Sequence, residues 1–218
     1  LSIISHVFKK AEETNIGEVF VATEDQAIID DVKKNGGQAI LTNKNHKTGT
    51  DRINEAIKKL GRTDVELVMN LQGDEPLMNV ADIQKLHAQM VKTKFELGTL
   101  ASNIIDQESY DNLNVVKVIT KESFENSQFP EALNFTRKSD PSLKNIYNHL
   151  GIYCYQLETL KKFVSSKQSS NEIKNRLEQL RALDNNITIN VALAKASSIG
   201  VDTKEDYVAI KKIMEYKS

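Results

Sequence analysis

The chain has 218 residues, 39% of them apolar, which suits an ordinary soluble core and excludes a disordered or fibrous chain. Its 29 lysines and arginines nearly cancel 30 aspartates and glutamates, so no overall field directs it to nucleic acid or to an anionic membrane. One cysteine, Cys154, excludes an internal disulfide and points to a reducing, cytoplasmic setting, and no apolar run approaches the roughly 18 residues of a membrane-spanning helix.

Helical spacing at Ile3, Ile4, Val7, Phe8 and Ala11 predicts an opening helix. Doubly wound sheets usually open with a strand and a glycine-rich turn, so a first strand and loop are expected to lie outside these 218 residues. Residues 18–23 read as a strand and 25–34 as a helix closed by Asn35, Gly36 and Gly37. A short strand over 38–41, a polar loop over 42–50 and a helix from Asp51 to about Leu60 follow. The apolar run 65–71 then predicts a central strand broken by Gly73 and Pro76, which leaves Gln72, Asp74 and Glu75 at the carboxyl edge of the sheet. A helix over 80–91 completes a strand–helix alternation that predicts a mainly parallel sheet.

From Leu97 the rhythm changes. Strand-like runs at 97–102, 114–120, 132–136 and 150–155 have no clear helices between them and predict an antiparallel or mixed portion. Residues 121–130 read as a hairpin-like connection and 138–148 as an exposed loop. Helices are predicted at about 156–164 and 171–183, a last strand at 187–193 and a closing helix at 203–216 capped by Asp202 or Thr203. With no internal repeat or linker, the simplest reading is a single α/β domain over 1–218.

Three constellations carry candidate chemistry. Asp74 and Asp202 each follow a predicted strand beside a glycine; two such acids suit a shared magnesium ion, although aspartate is commoner at a turn and a helix cap, which both positions also suit. The loop His46-Lys47-Thr48-Gly49-Thr50-Asp51-Arg52 offers hydroxyls, a glycine and a cation at a helix start, as an anionic or nucleotide ligand requires, and also reads as a solvated cap. Arg137, His149, Tyr153, Glu178, Gln179 and Arg181 suit a carboxylated, polyhydroxylated substrate, although each has an ordinary structural explanation. No nucleophile elbow, HExxH, cysteine cluster or basic–aromatic stripe is present.

In this order the segments resemble the 3-deoxy-manno-octulosonate cytidylyltransferases (CMP-Kdo synthetases), over nearly the whole chain. The residues that carry the resemblance are Val21-Ala22-Thr23 with Asp25, the loop from His46 to Arg52, Asn70-Leu71-Gln72-Gly73-Asp74-Glu75-Pro76, Phe135-Thr136-Arg137, His149-Leu150-Gly151-Ile152-Tyr153, Leu177-Glu178-Gln179-Leu180-Arg181 and Gly200-Val201-Asp202-Thr203. The resemblance implies a nucleotide-diphospho-sugar transferase-like (Rossmann-like) α/β fold, with a mixed, mainly parallel sheet and helices on both faces. It implies a cytoplasmic homodimer of lipopolysaccharide biosynthesis that transfers CMP from CTP to the anomeric hydroxyl of Kdo and releases pyrophosphate.

The resemblance also distributes roles. Asp74, Asp202 and Arg137 are the implied catalytic residues, with Asp74 and Asp202 holding Mg2+; Thr48, Gly49, Thr50, Asp51 and Arg52 bind CTP; Gln72, Arg137, His149, Tyr153, Glu178 and Gln179 bind the sugar acid. The family's opening strand and its arginine- and lysine-bearing phosphate loop have no counterpart here before Leu1. Lys138-Ser139-Asp140-Pro141 replaces the family's Ile-Pro-Trp-like continuation after the arginine, and Asn175 stands where relatives often carry an acid. The alternatives are a sialic acid-like or amino-Kdo acceptor, or a ligand-binding subunit without catalysis.

Overall fold

The computed structural model describes residues 2–195 except 63, 139 and 141, together with residues 208, 210 and 212. Asp202 and most of the predicted closing helix therefore lie outside the described residues. Helix α1 (Ile3–Glu13) is capped by Ser2, whose hydroxyl accepts from the Ser5 amide. Strand β1 (Val21–Thr23), helix α2 (Gln26–Lys34) and strand β2 (Ala39–Leu41) form one β–α–β unit, with Asp25 accepting from the Ala27 amide at the start of the helix. Helix α3 (Gly49–Leu60) begins two residues before its predicted start because Thr48 caps it, and Gly61 ends it in the left-handed region at φ 63°.

Strand β3 (Leu67–Asn70), helix α4 (Val80–Thr93) and strand β4 (Leu97–Ser102) follow the predicted alternation. A short helix α5 (Gln107–Asp111), capped by Asp106, precedes the hairpin of β5 (Lys117–Thr120) and β6 (Ala132–Thr136). Strand β7 (Ile146–Gln156) is longer than predicted, since residues 146–149 pair with β5 and β4 instead of forming a loop. Helix α6 (Leu157–Ser165) matches its predicted span. The single helix predicted over 171–183 is two, α7 (Ser170–Asn175) and α8 (Leu180–Asp184), because Arg176 adopts φ 53° and ends the first. Strand β8 (Ile189–Leu193) closes the sheet.

The larger sheet runs β6-β5-β7-β4-β8, with β3 also paired to β7. β7 is antiparallel to β3, β4 and β5, while β4 and β8 are parallel. Strands β3, β4, β5 and β8 thus share one direction and β6 and β7 oppose it, so the mixed, mainly parallel sheet holds in strand direction. Most hydrogen-bonded neighbours are nevertheless antiparallel, because β7 is interposed among strands of the other direction.

Alternation along β7 sorts the core. Leu150, Ile152 and Cys154 pack with Val7 of α1 and with Ile83, Leu86 and Met90 of α4. Tyr153 and Tyr155 face the other side, among Leu160 and Phe163 of α6 and Ile53 and Ile57 of α3. Helices therefore cover both faces. Burial pushes the Cys154 thiol up to about 12, which makes it an inert core residue.

β1 and β2 form a separate two-stranded sheet, and a cavity of about 600 Å³ lies between β1 and β3. Consecutive residues line it on each side, Val21 and Ala22 of β1 with the preceding Phe20 on one and Leu67, Val68 and Met69 of β3 on the other. Lining by both side-chain parities means that the edges of the strands bound the cavity, and not their faces. Ile4 and Phe8 of α1 and Ile53 and Ala56 of α3 close it from the two sides of the sheet.

Packing under β4 is tight enough to test. A Cβ on Gly98 would lie 2.8 Å from the Met90 sulfur, 2.9 Å from Leu86 and 3.0 Å from Phe129, and Leu86 and Met90 are wholly buried. Gly98→Ala is expected to destabilise the protein by about 1–3 kcal/mol in urea denaturation.

Candidate functional site

Four segments converge at the end of the larger sheet: the turn after β3, part of β7, the α7–α8 turn and the start of α3. After β3 the chain turns at residues 71–78, held by bonds from the Glu75 amide to the Gln72 carbonyl and from the Met78 amide to the Glu75 carbonyl, both 3.3 Å. Gly73 is exposed there, and a Cβ on it would meet only the tip of the Ile4 side chain of α1, at 3.0 Å. The turn presents Asp74 to solvent and directs Gln72 onto β7, where its amide donates to the Gly151 carbonyl at 3.1 Å. Gly151 leaves room for this contact: a Cβ would lie 3.3 Å from Gln72 and 3.5 Å from Glu75.

β7 supplies His149 and Tyr153, whose rings lie 5.4 Å apart, with Phe135 edge-on to His149 at 5.0 Å. Thr99 on β4 fixes the imidazole. Its hydroxyl donates to the Ile152 carbonyl at 2.7 Å, so the 3.0 Å contact with His149 Nε2 requires that nitrogen to carry the proton and leaves Nδ1 as an acceptor. Burial pushes His149 down to about 3, so the ring is neutral at physiological pH. Burial also raises the Tyr153 phenol, helped by Tyr155, Glu178 and Glu75, so it stays a hydrogen-bond donor.

Glu178 and Gln179 lie in the turn between α7 and α8, and not on a helix. Burial pushes the Glu178 carboxyl up, against the opposing pull of the Thr50 and Thr48 hydroxyls and of Arg181, and its buried Oε1 has no hydrogen-bond partner. The turn rests on a buried ion pair. Arg181 reaches Glu172 through Nε at 2.8 Å and Nη2 at 2.6 Å, and its guanidinium lies 4.6 Å from the centre of the Phe163 ring.

Arg137 follows β6. Its Nη1 donates to the carbonyls of Leu113 at 3.3 Å and Asn114 at 2.9 Å, which occupies both protons on that nitrogen and leaves Nε and Nη2 as a side-on fork for a carboxylate. Lys117, wholly buried, donates to the Arg137 carbonyl at 3.1 Å and to the Asn112 carbonyl at 2.6 Å, and so holds the base of Arg137 and the turn beneath it.

The loop before α3 is anchored by Glu55, whose carboxylate accepts from the Asn43 amide and pairs with His46 and, at 2.8 Å, with Lys59. Lys59 above all, with Asn43 and His46, holds the Glu55 carboxyl down to about 2. Thr48 caps the helix, so the cap reading applies to it, while Thr50 is buried with its hydroxyl 3.4 Å from that of Tyr155. Arg52 is turned back on Glu24, Thr42 and Asn43. Gly49 is exposed at the first turn.

The geometry therefore brings Gln72, His149, Tyr153, Glu178, Thr48 and Thr50 into one neighbourhood, while Arg137 is held on the neighbouring β5–β6 hairpin. Sequence reading missed Thr99, Lys117 and Glu55 as supports. The first two had a visible signal, a polar residue inside an otherwise apolar strand. For a divalent ion, Asp74 is an exposed hard-oxygen donor of the kind that holds magnesium through one or two carboxylates plus phosphate and water, so it fits. Among the described residues no group of three or more His, Cys, Asp or Glu forms a metal cage.

The α/β fold with its mixed sheet is that of the sugar nucleotidyltransferases. Solved UDP-glucose pyrophosphorylase shares the fold at TM-score 0.68 and 12% identity over 99% of this chain and 87% of its own. A cytidylyltransferase family profile matches residues 1–189. The 3-deoxy-manno-octulosonate cytidylyltransferase of Thermodesulfovibrio yellowstonii is 40% identical over 97% of this chain and 88% of its own, and that of Haemophilus influenzae is 34% identical over the same shares. The solved structure of CMP:2-keto-3-deoxy-manno-octonic acid synthetase complexed with CTP superposes at TM-score 0.88 with 30% identity, over 99% of this chain and 88% of that one. The chain belongs to the 3-deoxy-manno-octulosonate cytidylyltransferase family of nucleotidyltransferases. Among the described residues no helix is long and apolar enough to cross a membrane.

The state of His149 has a measurable consequence. The unfolded chain takes up a proton on this residue near the ordinary value of 6.5, but the folded chain does so only near 3, so stability falls as pH drops through that window. In denaturant titrations between pH 7 and 4, His149→Gln is expected to show a shallower loss of stability than the parent.

Proposed function

We propose that the protein transfers CMP from CTP to the anomeric hydroxyl of 3-deoxy-D-manno-octulosonate, releasing pyrophosphate, as a cytoplasmic homodimer of lipopolysaccharide biosynthesis. The observation that carries this reading is the set of hydrogen-bonding groups on one side of β7: Tyr153 as donor, the neutral His149 with Nδ1 as acceptor, and the unpartnered Glu178 Oε1. They suit sugar hydroxyls, and the open fork of Arg137 suits the sugar carboxylate. Membership in the family supplies the nucleotide and the reaction class.

The anomeric oxygen attacks the α-phosphorus and the bond to the bridging oxygen of the leaving pyrophosphate breaks, so the protein's task is to align two polyanions and offset developing charge. Thr48, Gly49, Thr50, Asp51 and Arg52 receive the nucleotide, and Gln72, Arg137, His149, Tyr153, Glu178 and Gln179 the sugar acid. Asp74 and Asp202 would hold Mg2+, which would supply charge neutralisation at the triphosphate. Exposed Ile105, Leu113 and Leu133 are apolar surface available to a second subunit.

The cavity between β1 and β3 supports a further part of the reading. It has the form of a slot for one further apolar strand, since its walls are two strand edges and its other sides are apolar helix faces. The test compares residues 1–218 with a chain extended at Leu1 by an apolar strand and a basic loop. Pyrophosphate release dependent on Kdo and Mg2+ is expected from the extended chain and to fall on the order of 100-fold in its Asp74→Asn variant, with the melting temperature kept. CTP binding without pyrophosphate release by the extended chain would make it a binding subunit, and turnover only of another sugar acid would replace Kdo as the acceptor.

A further inference from the structure

Two regions far apart in sequence meet in one buried joint: the start of α3, which carries Thr48, Thr50 and Asp51, and the turn from α7 to α8, which carries Glu178 and Gln179. The contacts run in two layers. The Thr50 and Thr48 hydroxyls act on the Glu178 carboxyl, and behind them Arg181 is shared, its Nη2 2.6 Å from Glu172 and its Nη1 3.6 Å from Asp51. Arg181 is 2% exposed, and its backbone amide donates to the Glu178 carbonyl at 3.0 Å, which ties the guanidinium to the turn it supports.

We infer that this joint couples the nucleotide and sugar-acid sites, with Arg181 as the positioning residue that holds the two together. The inference rests on the substrate assignment above and adds a linkage between the two sites. A ligand that orders the start of α3 also fixes the hydroxyls facing Glu178 and the acid facing Arg181. The second ligand then finds its own residues already ordered, so the coupling is positive and reciprocal. Asp51 reaches Nη1 of Arg181, whereas Glu172 is held by Nε and Nη2, so the Asp51 carboxylate can be removed while the Arg181–Glu172 pair stays in place. The Thr50 hydroxyl is likewise separable from the α3 cap, which Thr48 forms.

The test uses CMP and Kdo, which do not react with each other, titrated singly and together by calorimetry into the protein. The parent is expected to bind Kdo about fivefold or more tightly in the presence of CMP, the lower end of ordinary allosteric couplings. Asp51→Asn and Thr50→Val are expected to bring that ratio below twofold whatever they do to either affinity alone. Arg181→Lys, which keeps the cation and loses the fork, is expected to do the same, with melting curves reporting its fold. A merely structural role would lower stability and leave the ratio unchanged. Unchanged coupling in the folded Asp51 and Thr50 variants, or binding of both ligands by the parent without coupling, overturns this inference alone; failure of the parent to bind either ligand overturns the substrate assignment along with it.

Discussion

The structure depends on the two-residue alternation of one strand. β7 is eleven residues long, lies antiparallel among β3, β4 and β5, and divides its side chains between two environments. Leu150, Ile152 and Cys154 complete the core beneath α1 and α4, while His149, Tyr153 and Tyr155 point to the side where α3, α6 and the α7–α8 turn meet. A one-residue slip would exchange the two sets, burying an imidazole and two phenols against α4. Core and site are thus specified by the same register, and the β4–β7 irregularity between Thr99 and Leu100 is where that register is adjusted. Thr99, at that irregularity, is the residue that orients His149, so the adjustment serves the site directly.

Placing the site on the inner face of a central strand has an electrostatic consequence. Away from water, the charged forms of buried groups are disfavoured: His149 is held neutral, Tyr153 keeps its proton and Glu178 is pushed toward its protonated form. These groups recognise by hydrogen bonds, which suits hydroxyls. Net positive charge comes instead from Arg137, at the more open hairpin edge, where its cost of burial is smaller. A sugar acid has the same division, with one carboxylate at one end and hydroxyls along the rest. Environment, more than residue type alone, therefore assigns each end of such a substrate to its place.

The local units of the fold were legible in the sequence because their signals are local. Asp25, Thr48 and Asn79 cap α2, α3 and α4 with side chains that accept from nearby amides, and apolar spacing marks the buried faces of these helices. The interposition of β7 was not legible, since it depends on pairing Leu67–Asn70 with residues some 85 positions later, and nothing in either run encodes its partner. The break between α7 and α8 was hidden for another reason. Arginine rarely adopts positive φ, so Arg176 gave no warning that Glu178 and Gln179 would sit in a turn. Site residues were named from motif resemblance, whereas their supports, Thr99, Lys117 and Glu55, act through contacts 50, 20 and 9–12 residues away.

The hairpin edge shows how a buried cation can serve an exposed one. Lys117 stands in β5 with no exposure, where desolvation lowers its proton affinity, the Asp111 charge opposes that shift and the neighbouring Arg137 adds to it. It is compensated by two backbone carbonyls, of Asn112 and Arg137, while Arg137 is compensated by the next two carbonyls of the same turn, of Leu113 and Asn114. Three successive carbonyls, 112 to 114, are thus used by two cations that repel each other. Neither can relax without releasing the other, because Lys117 holds the backbone from which Arg137 projects. The guanidinium is in this way fixed by one nitrogen and left open along one edge, so a carboxylate meets a fork whose orientation was set during folding.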